Sequence, residues 1–193
     1  DEHLVRGLAL RDELIGLVKD RNLDALSVQT ISSVPRELGP GLGLGYCLAQ
    51  DEISLAYESD LHGAISLAIL KSAAKVPQPC FFPDIVSRHP DNDNAVLLWH
   101  GAAPLKLKHP DCKTVEMLPY WTIKDLPPTN LSFRLKEGNI TMCRFDGENG
   151  NYVLGFGEGR AVPGPYTREF YTWMEVDNWP AWEKKLIEGP FIH

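Results

Sequence analysis

The sequence has few cysteines, and no two of them lie close together along the chain. Cys47, Cys80, Cys112 and Cys143 are spread over 193 residues without a C-x-x-C pair. This spacing excludes a disulfide framework and a zinc knuckle. It predicts buried, reduced thiols, as in a cytoplasmic protein.

Long apolar runs and runs of positive charge are missing as well. The longest apolar stretches, such as AISLAIL at 64–70, are much shorter than a membrane span, and the first residues lack a basic and apolar leader. The formal net charge is −7 without a Lys/Arg run, whereas nucleic-acid phosphates require a basic footprint. We therefore expect a cytoplasmic protein that binds neither membranes nor nucleic acid. An acidic chain of this kind is better suited to bind small neutral substrates or metal ions.

The first part of the chain shows a predicted alternation of helices and strands. Apolar residues at helical spacing predict an amphipathic helix over residues 3–20. DALSVQT (24–30) and ISLAYES (53–59) are typical of buried strands, and the second runs into a helix over 60–75. This order predicts a parallel α/β layer. The intervening GPGLGLGYC lacks the Gly-Lys-Ser/Thr ending of a phosphate loop, so we predict a tight, closely packed turn there.

The pattern changes near residue 78. Prolines and Gly/Asn turns separate short β-rich segments, including a hairpin loop at RHPDNDN and a series from LSFRL to YVLGFGEG. This predicts an antiparallel meander or a small barrel. We therefore predict an α/β protein with two parts: residues 1–77 form an α/β portion, and residues 78–193 form an antiparallel, barrel-like C-terminal domain. A last helix should begin at Asp177 or Asn178.

Acidic residues follow both predicted parallel strands. Glu37 lies in ISSVPRELG after the first strand, and Asp60 lies in YESDLH after the second. Ligands of parallel sheets bind beyond the carboxyl ends of the strands, so the two carboxylates are predicted to converge. The residues alone leave a second interpretation open, in which Asp60 only caps a helix while Glu37, Glu58 and His62 are solvated.

Three further residues are candidates for a site. His100 ends the apolar strand of LLWHGAAP, and flanking glycines allow the Glu158 carboxylate in GFGEGR to be aimed. Each is also compatible with a plain structural role. Asp84 in the apolar FFPDIV is predicted to have a partner, because an unpaired buried carboxylate is costly.

The order of these motifs resembles a known family. ESDLHGA, FFPDI, LLWHGAAP, GEGR, TWMEVDNW and GPFIH follow one another as in the C-terminal half of the L-fucose isomerase and L-arabinose isomerase superfamily, closest to its fucose isomerase-like branch. The resemblance covers about residue 22 to the end. Two features depart from that branch. Tyr57 stands where its members often carry Cys, and the Trp that they commonly carry shortly before their metal-binding Glu is absent here.

The resemblance implies a sugar isomerase, an intramolecular oxidoreductase that interconverts aldoses and ketoses through an enediolate. It implies that Mn²⁺ or another divalent cation is bound by Glu37, by Asp60 and by a third ligand. The third ligand would be His193 or a residue beyond it. Glu37 and Asp60 would also be the acid/base pair, and His100 and Glu158 would contact the substrate. Family members carry additional N-terminal α/β domains and form homo-oligomers that close the site. The resemblance therefore implies that this chain is a fragment that is inactive or very weakly active alone.

Two other classes remain open at this point. One is a non-catalytic sugar-binding or regulatory relative that keeps the fold. The other is a different metal-dependent carbonyl enzyme, such as an aldolase or an epimerase, that uses the same enediolate chemistry.

Overall fold

The computed structural model describes residues 2–30, 37, 39, 42–119 and 128–189. The first part alternates helices and short strands, in the order α1 (Glu2–Asp20), β1 (Leu26–Ser27), α2 (Leu42–Gln50), β2 (Leu55–Ala56) and α3 (Leu61–Ala73). β1 and β2 form a two-stranded parallel sheet in which Leu26 pairs with Leu55. The predicted N-terminal helix, the two strands and the parallel α/β layer are confirmed.

The second part consists mainly of strands. These are β3 (Asp84–His89), β4 (Asn92–His100), β5 (Glu116–Leu118), β6 (Asn130–Arg134), β7 (Asn139–Glu148), β8 (Asn151–Val162) and β9 (Phe170–Glu175), with a 3-10 turn at Leu105–Leu107 and a final helix α4 (Trp179–Glu188). Asn178 caps α4 by accepting a hydrogen bond from the Ala181 amide at 3.1 Å, as predicted.

The strands form a larger sheet that is mostly antiparallel. β3, β4, β9, β6 and β5 follow one another across it, and β8 also pairs with β9 and β7. The predicted hairpin at RHPDNDN is confirmed, although only Pro90 and Asp91 separate its strands. The pairing of the described strands does not close into a barrel. The fold is therefore a mixed α/β fold with a small parallel sheet and a large, mainly antiparallel one.

An antiparallel meander, one of the two predicted arrangements, is not found at β6. β6 does not pair with β7, the next strand along the chain, but lies parallel to β9 with Phe133 opposite Phe170. These two buried rings meet edge to face, with their centroids 4.8 Å apart. Core packing of aromatic side chains accompanies the parallel pairing, and turn signals in the sequence could not indicate it.

The predicted tight turn at GPGLGLGYC is also wrong for its described part, because Leu42–Gln50 is helical. Its glycines allow close packing of the helix. A Cβ at Gly43 would lie 2.2 Å from the Asn130 Oδ1 atom, and a Cβ at Gly45 would lie 2.7 Å from the Gly7 carbonyl oxygen. α2 thus approaches α1 and β6 at distances that only glycine permits.

One hydrophobic cluster joins the two parts of the chain. Its buried members include Leu14 of α1, Cys47 of α2, Tyr57 after β2, Ala103 and Phe170. A second cluster lies beneath α4 and includes Val96, Met174 and Trp179. The boundary predicted between residues 77 and 78 remains a prediction, and residues from both sides of it share the first cluster.

None of the helices in the described ranges has both the length and the apolar character needed to cross a membrane.

Candidate active site at the carboxyl end of β2

The parallel pairing of β1 and β2 defines one edge where both strands end. Ser27 of β1 lies opposite Ala56 of β2, so the segments that follow them leave the sheet on the same side. Asp60 follows β2 shortly after this edge. Glu37 follows β1 at a greater distance along the chain, is helical, and has an exposed side chain.

The turn between β2 and α3 contains two residues in the left-handed region. Glu58 and Ser59 have φ values of 59° and 62°, although neither is glycine. Each such residue costs about 1–2 kcal/mol relative to ordinary backbone. The turn is held by the Ser59 amide, which donates to the Val28 carbonyl at 3.1 Å, and by the Asp60 amide, which donates to the Tyr57 carbonyl at 3.0 Å. Strain of this kind concentrates at functional sites, where the surrounding structure maintains it.

Tyr57, which directly precedes the two left-handed residues, fixes this turn to the core. Its side chain is fully buried, and its ring stacks on the imidazole of His100 with the centroids 4.9 Å apart. The Gln50 amide donates to the Tyr57 hydroxyl. A large buried ring at position 57 therefore supports the strained turn.

Asp60 caps α3, as predicted, and also forms an ion pair. Its Oδ1 atom accepts a hydrogen bond from the Gly63 amide at 2.8 Å. Its Oδ2 atom lies 2.5 Å from the Nη1 atom of Arg144, and only 11% of the Asp60 side chain is exposed. A helix N-terminus and a guanidinium are both favourable partners for a carboxylate.

Arg144 connects Asp60 to a second carboxylate. Its Nε and Nη2 atoms donate to the Oδ2 atom of Asp146 at 3.1 and 3.0 Å. The Oδ1 atom of Asp146 lies 2.8 Å from the Nδ1 atom of His62 and accepts from the Gly147 amide at 2.9 Å. Burial on its own would raise the pKa of Asp146, but the Gly147 amide, His62 and Arg144 lower that pKa below its ordinary value.

Asp60, His62, Arg144 and Asp146 therefore form one network, which we call the Asp60 network. It joins the start of α3 to β7, far along the chain. Sequence motifs indicated Asp60 and His62 but not Arg144 or Asp146. The available signal was the alternation in CRFDG, which places Arg144 and Asp146 on the same face of a strand.

The other two predicted metal ligands, Glu37 and His193, have no described contact with Asp60. Glu37 is exposed, and His193 lies outside the described residues. Within the described ranges, no three His, Cys, Asp or Glu side chains are grouped so as to hold an ion. The set of Glu37, Asp60 and His193 therefore stays a prediction. Of its members, Asp60 is part-buried, and its two oxygens already have the Gly63 amide and the Arg144 guanidinium as partners.

The two substrate-contact candidates lie in different surroundings. His100 is buried and packs against Tyr57 and Phe82, whose ring centroid is 5.7 Å from the imidazole. Glu158 is exposed on β8, opposite Thr141 of β7. Glu158 thus lies within a strand, not in a turn. Both assignments stay predictions.

A second buried carboxylate, which no sequence motif indicated, lies just before β9. Glu169 is 4% exposed and has a left-handed φ of 66°. Its carboxylate accepts from the Asn130 amide, and its carbonyl accepts from the Phe133 amide at 3.1 Å. Burial raises the pKa of Glu169 to about 7; Arg168 acts against this shift and Glu116 adds to it.

No family model matches the chain, and no curated protein matches it. The family interpretation therefore depends on the order of the sequence motifs and on the chemistry of the Asp60 network.

Proposed function

We propose that this chain is the C-terminal part of a metal-dependent aldose–ketose isomerase of the L-fucose/L-arabinose isomerase type. The observation that carries the proposal is the placement of Asp60. Its carboxylate is part-buried, follows a strained turn at the end of a parallel strand, and contacts both the Gly63 amide and the Arg144 guanidinium. Such an arrangement suits a metal ligand better than a residue whose sole task is to cap a helix.

Glu37 and Asp60 are the proposed metal ligands and the proposed acid/base pair, and His193 or a later residue is the third ligand. Oxygen donors with one imidazole suit Mn²⁺. These residues would hold the ion, which would supply a Lewis acid for the sugar carbonyl. A carboxylate of the pair moves a proton between C1 and C2 of the sugar, and His100 and Glu158 are proposed to position the sugar.

The proposal also includes parts beyond the described residues. N-terminal α/β domains and a neighbouring subunit of a homo-oligomer would complete and cover the site, since an enediolate requires shielding from water. The barrel-like closure of the C-terminal domain is a further element of the proposal. A cytoplasmic location agrees with the sequence-based expectation for the thiols.

The test is a screen for ketose formation from deoxy-hexoses and pentoses, fucose and arabinose first, with Mn²⁺ present. It compares this chain, the product of the longer reading frame, and the longer product with Asp60→Asn. We expect turnover only by the unsubstituted longer product. Mn²⁺ binding without turnover in every form would favour the non-catalytic relative. Carbon–carbon bond cleavage or inversion at one carbon would favour an aldolase or an epimerase.

A further inference from the structure

The hairpin of β7 and β8 leaves the large sheet along most of its length. β8 pairs with β7 from Asn151 to Arg160, but it pairs with β9 only through Arg160–Val162. Within the described ranges, Asn151–Gly159 therefore has β7 on one side and no strand on the other. We call this unpaired side of Asn151–Gly159 the β8 edge.

The opposite edge of the hairpin is covered by a helix. α3 packs against β7, and the Phe145 amide donates a hydrogen bond to the Ser66 hydroxyl oxygen at 2.8 Å. Because this amide points to α3, it is not bonded to β8, so Phe145 and the opposite residue Leu154 form a non-hydrogen-bonded pair. The Leu154 N–H and C=O groups therefore point away from β7, toward the β8 edge.

The same orientation applies to the neighbours of Leu154 on its face of the strand. In a regular antiparallel pair, the backbone groups of every second residue point to the same side, so those of Tyr152 and Phe156 also point to the β8 edge. The side chains of these three residues are exposed and share one face of the strand. The β8 edge thus offers backbone hydrogen-bonding groups together with apolar surface.

The two ends of the large sheet, in contrast, carry features that prevent strand pairing. β3 at one end has two register irregularities, and β5 at the other end is only three residues long. Bulges, short strands, lysine and proline are common protections of an edge. Asn151–Gly159 contains neither lysine nor proline, and its register with β7 is regular. The β8 edge is therefore open to a further strand.

The sequence of the β8 edge is complementary to itself. An antiparallel copy centred on Leu154 places Leu154 opposite Leu154 and Tyr152 opposite Phe156, so residues whose backbone groups point outward face each other. Apolar and aromatic pairs on neighbouring strands stabilise a sheet. Glu158, the only charged residue of the edge, lies opposite Gly150, so like charges do not meet. A twofold interface between identical chains requires this kind of self-complementarity.

We propose that β8 pairs with β8 of a second copy of this chain, antiparallel and centred on Leu154. The two hairpins then form one four-stranded sheet across a twofold axis. This inference does not depend on the proposed isomerase activity, because it uses only the geometry and sequence of the hairpin. It assigns a definite register to the contact, and cross-linking can measure that register.

The first test is disulfide cross-linking of variants with one added cysteine, oxidised with copper–phenanthroline and separated on a non-reducing gel. We expect Leu154→Cys to run mainly as a linked dimer, because its two Cα atoms lie about 5.5 Å apart in this register, within the range of a disulfide. Tyr152→Cys and Phe156→Cys should each stay unlinked, since each is displaced from its own copy by four positions, or about 13 Å. A mixture of these two variants should link.

The unsubstituted chain is the control for the native thiols, of which Cys80, Cys112 and Cys143 are partly exposed. Linking of Leu154→Cys no greater than that of the unsubstituted chain would overturn the proposal. Equal linking of Leu154→Cys, Tyr152→Cys and Phe156→Cys would overturn it as well, because such a contact has no register.

The second test removes the hydrogen bonding at the centre of the contact. Leu154→Pro deletes an N–H that β7 does not use, so we expect the hairpin to persist and the dimer to dissociate to monomer in sedimentation velocity. Leu154→Val keeps the amide and an apolar side chain, and as the matched control it should remain dimeric. A folded Leu154→Pro variant that is as dimeric as Leu154→Val would overturn the strand pairing, and the cross-linking test still decides if Leu154→Pro does not fold.

Discussion

Asp60 has two structural roles that a substitution can separate. Asn can still cap α3 through the Gly63 amide, but it cannot form the ion pair with Arg144. We expect Asp60→Asn to lower the free energy of unfolding by about 1–3 kcal/mol, because the ion pair is lost. The loss is limited to this range because Arg144 keeps Asp146 as a partner. Urea unfolding measures this, and Mn²⁺ binding should be lost in the same variant.

Asp60→Ala provides the control for the cap. It removes the cap as well as the charge, so it should be less stable than Asp60→Asn by about a further 1 kcal/mol. If Asp60→Asn retains the Mn²⁺ affinity of the unsubstituted chain, Asp60 is a structural residue and not a metal ligand.

Glu169 should make the stability of the protein depend on pH. Its pKa is raised from 4.5 to about 7, so between these values the folded chain retains a proton that the unfolded chain has released. Stability is thus full below the unfolded pKa, falls as the pH rises through this window, and levels off above it. Glu169→Gln carries no such proton, and Asn130 can still donate to its amide oxygen.

The measurement is urea unfolding of both forms at about pH 5 and about pH 8. We expect Glu169→Gln to gain stability relative to the unsubstituted chain as the pH rises. A constant difference between the two forms across this range would mean that Glu169 titrates as it does in the unfolded chain.

Among the helices, α1 and α2 offer a matched pair of glycine substitutions. Alanine is a better helix former than glycine by about 1 kcal/mol, so Gly16→Ala in α1 should stabilise the protein, as nothing lies within 4 Å of its new Cβ. Gly43→Ala in α2 should destabilise it, because its Cβ would lie 3.0 Å from the Asn130 Cα atom.

Thermal unfolding of the two variants decides whether the position of α2 against β6 is rigid. The expected result is a rise in Tm for Gly16→Ala and a fall for Gly43→Ala. A rise for both would show that α2 can shift away from Asn130 at little cost.

For the chain as a whole, exposed apolar side chains on β8 predict self-association. Tyr152 and Phe156 are 73% and 65% exposed, and they lie on the same face of the strand. Such side chains favour contact with another surface, which the proposed N-terminal domains or a neighbouring subunit would provide. Sedimentation of the isolated chain should therefore show species larger than a monomer.

Replacing Tyr152 and Phe156 together by Ser should shift the sedimentation profile toward the monomer. Ile187→Ser is the control, because Ile187 is comparably exposed but lies on α4. A strictly monomeric unsubstituted chain, or an equal shift in the control, would contradict a role for the β8 face.

What the sequence determined by itself was local. The periodicity of 3–20 indicated α1. Asp60 indicated the cap of α3, and the pair Asp177 and Asn178 indicated that of α4, because capping involves atoms only a few residues apart. Alternation between turns and β-rich segments likewise indicated strands after residue 78. Each of these signals is contained within a short segment.

Only the tertiary structure decided the contacts between distant segments. Arg144 and Asp146 meet Asp60 and His62 across more than eighty residues of chain, and Phe133 meets Phe170 in a parallel pair. A glycine-rich stretch that resembles a turn became a helix, since its glycines allow contact with Asn130. The physical reason is that ion pairing, close packing and burial depend on which segments become neighbours, and that is a property of the folded chain as a whole.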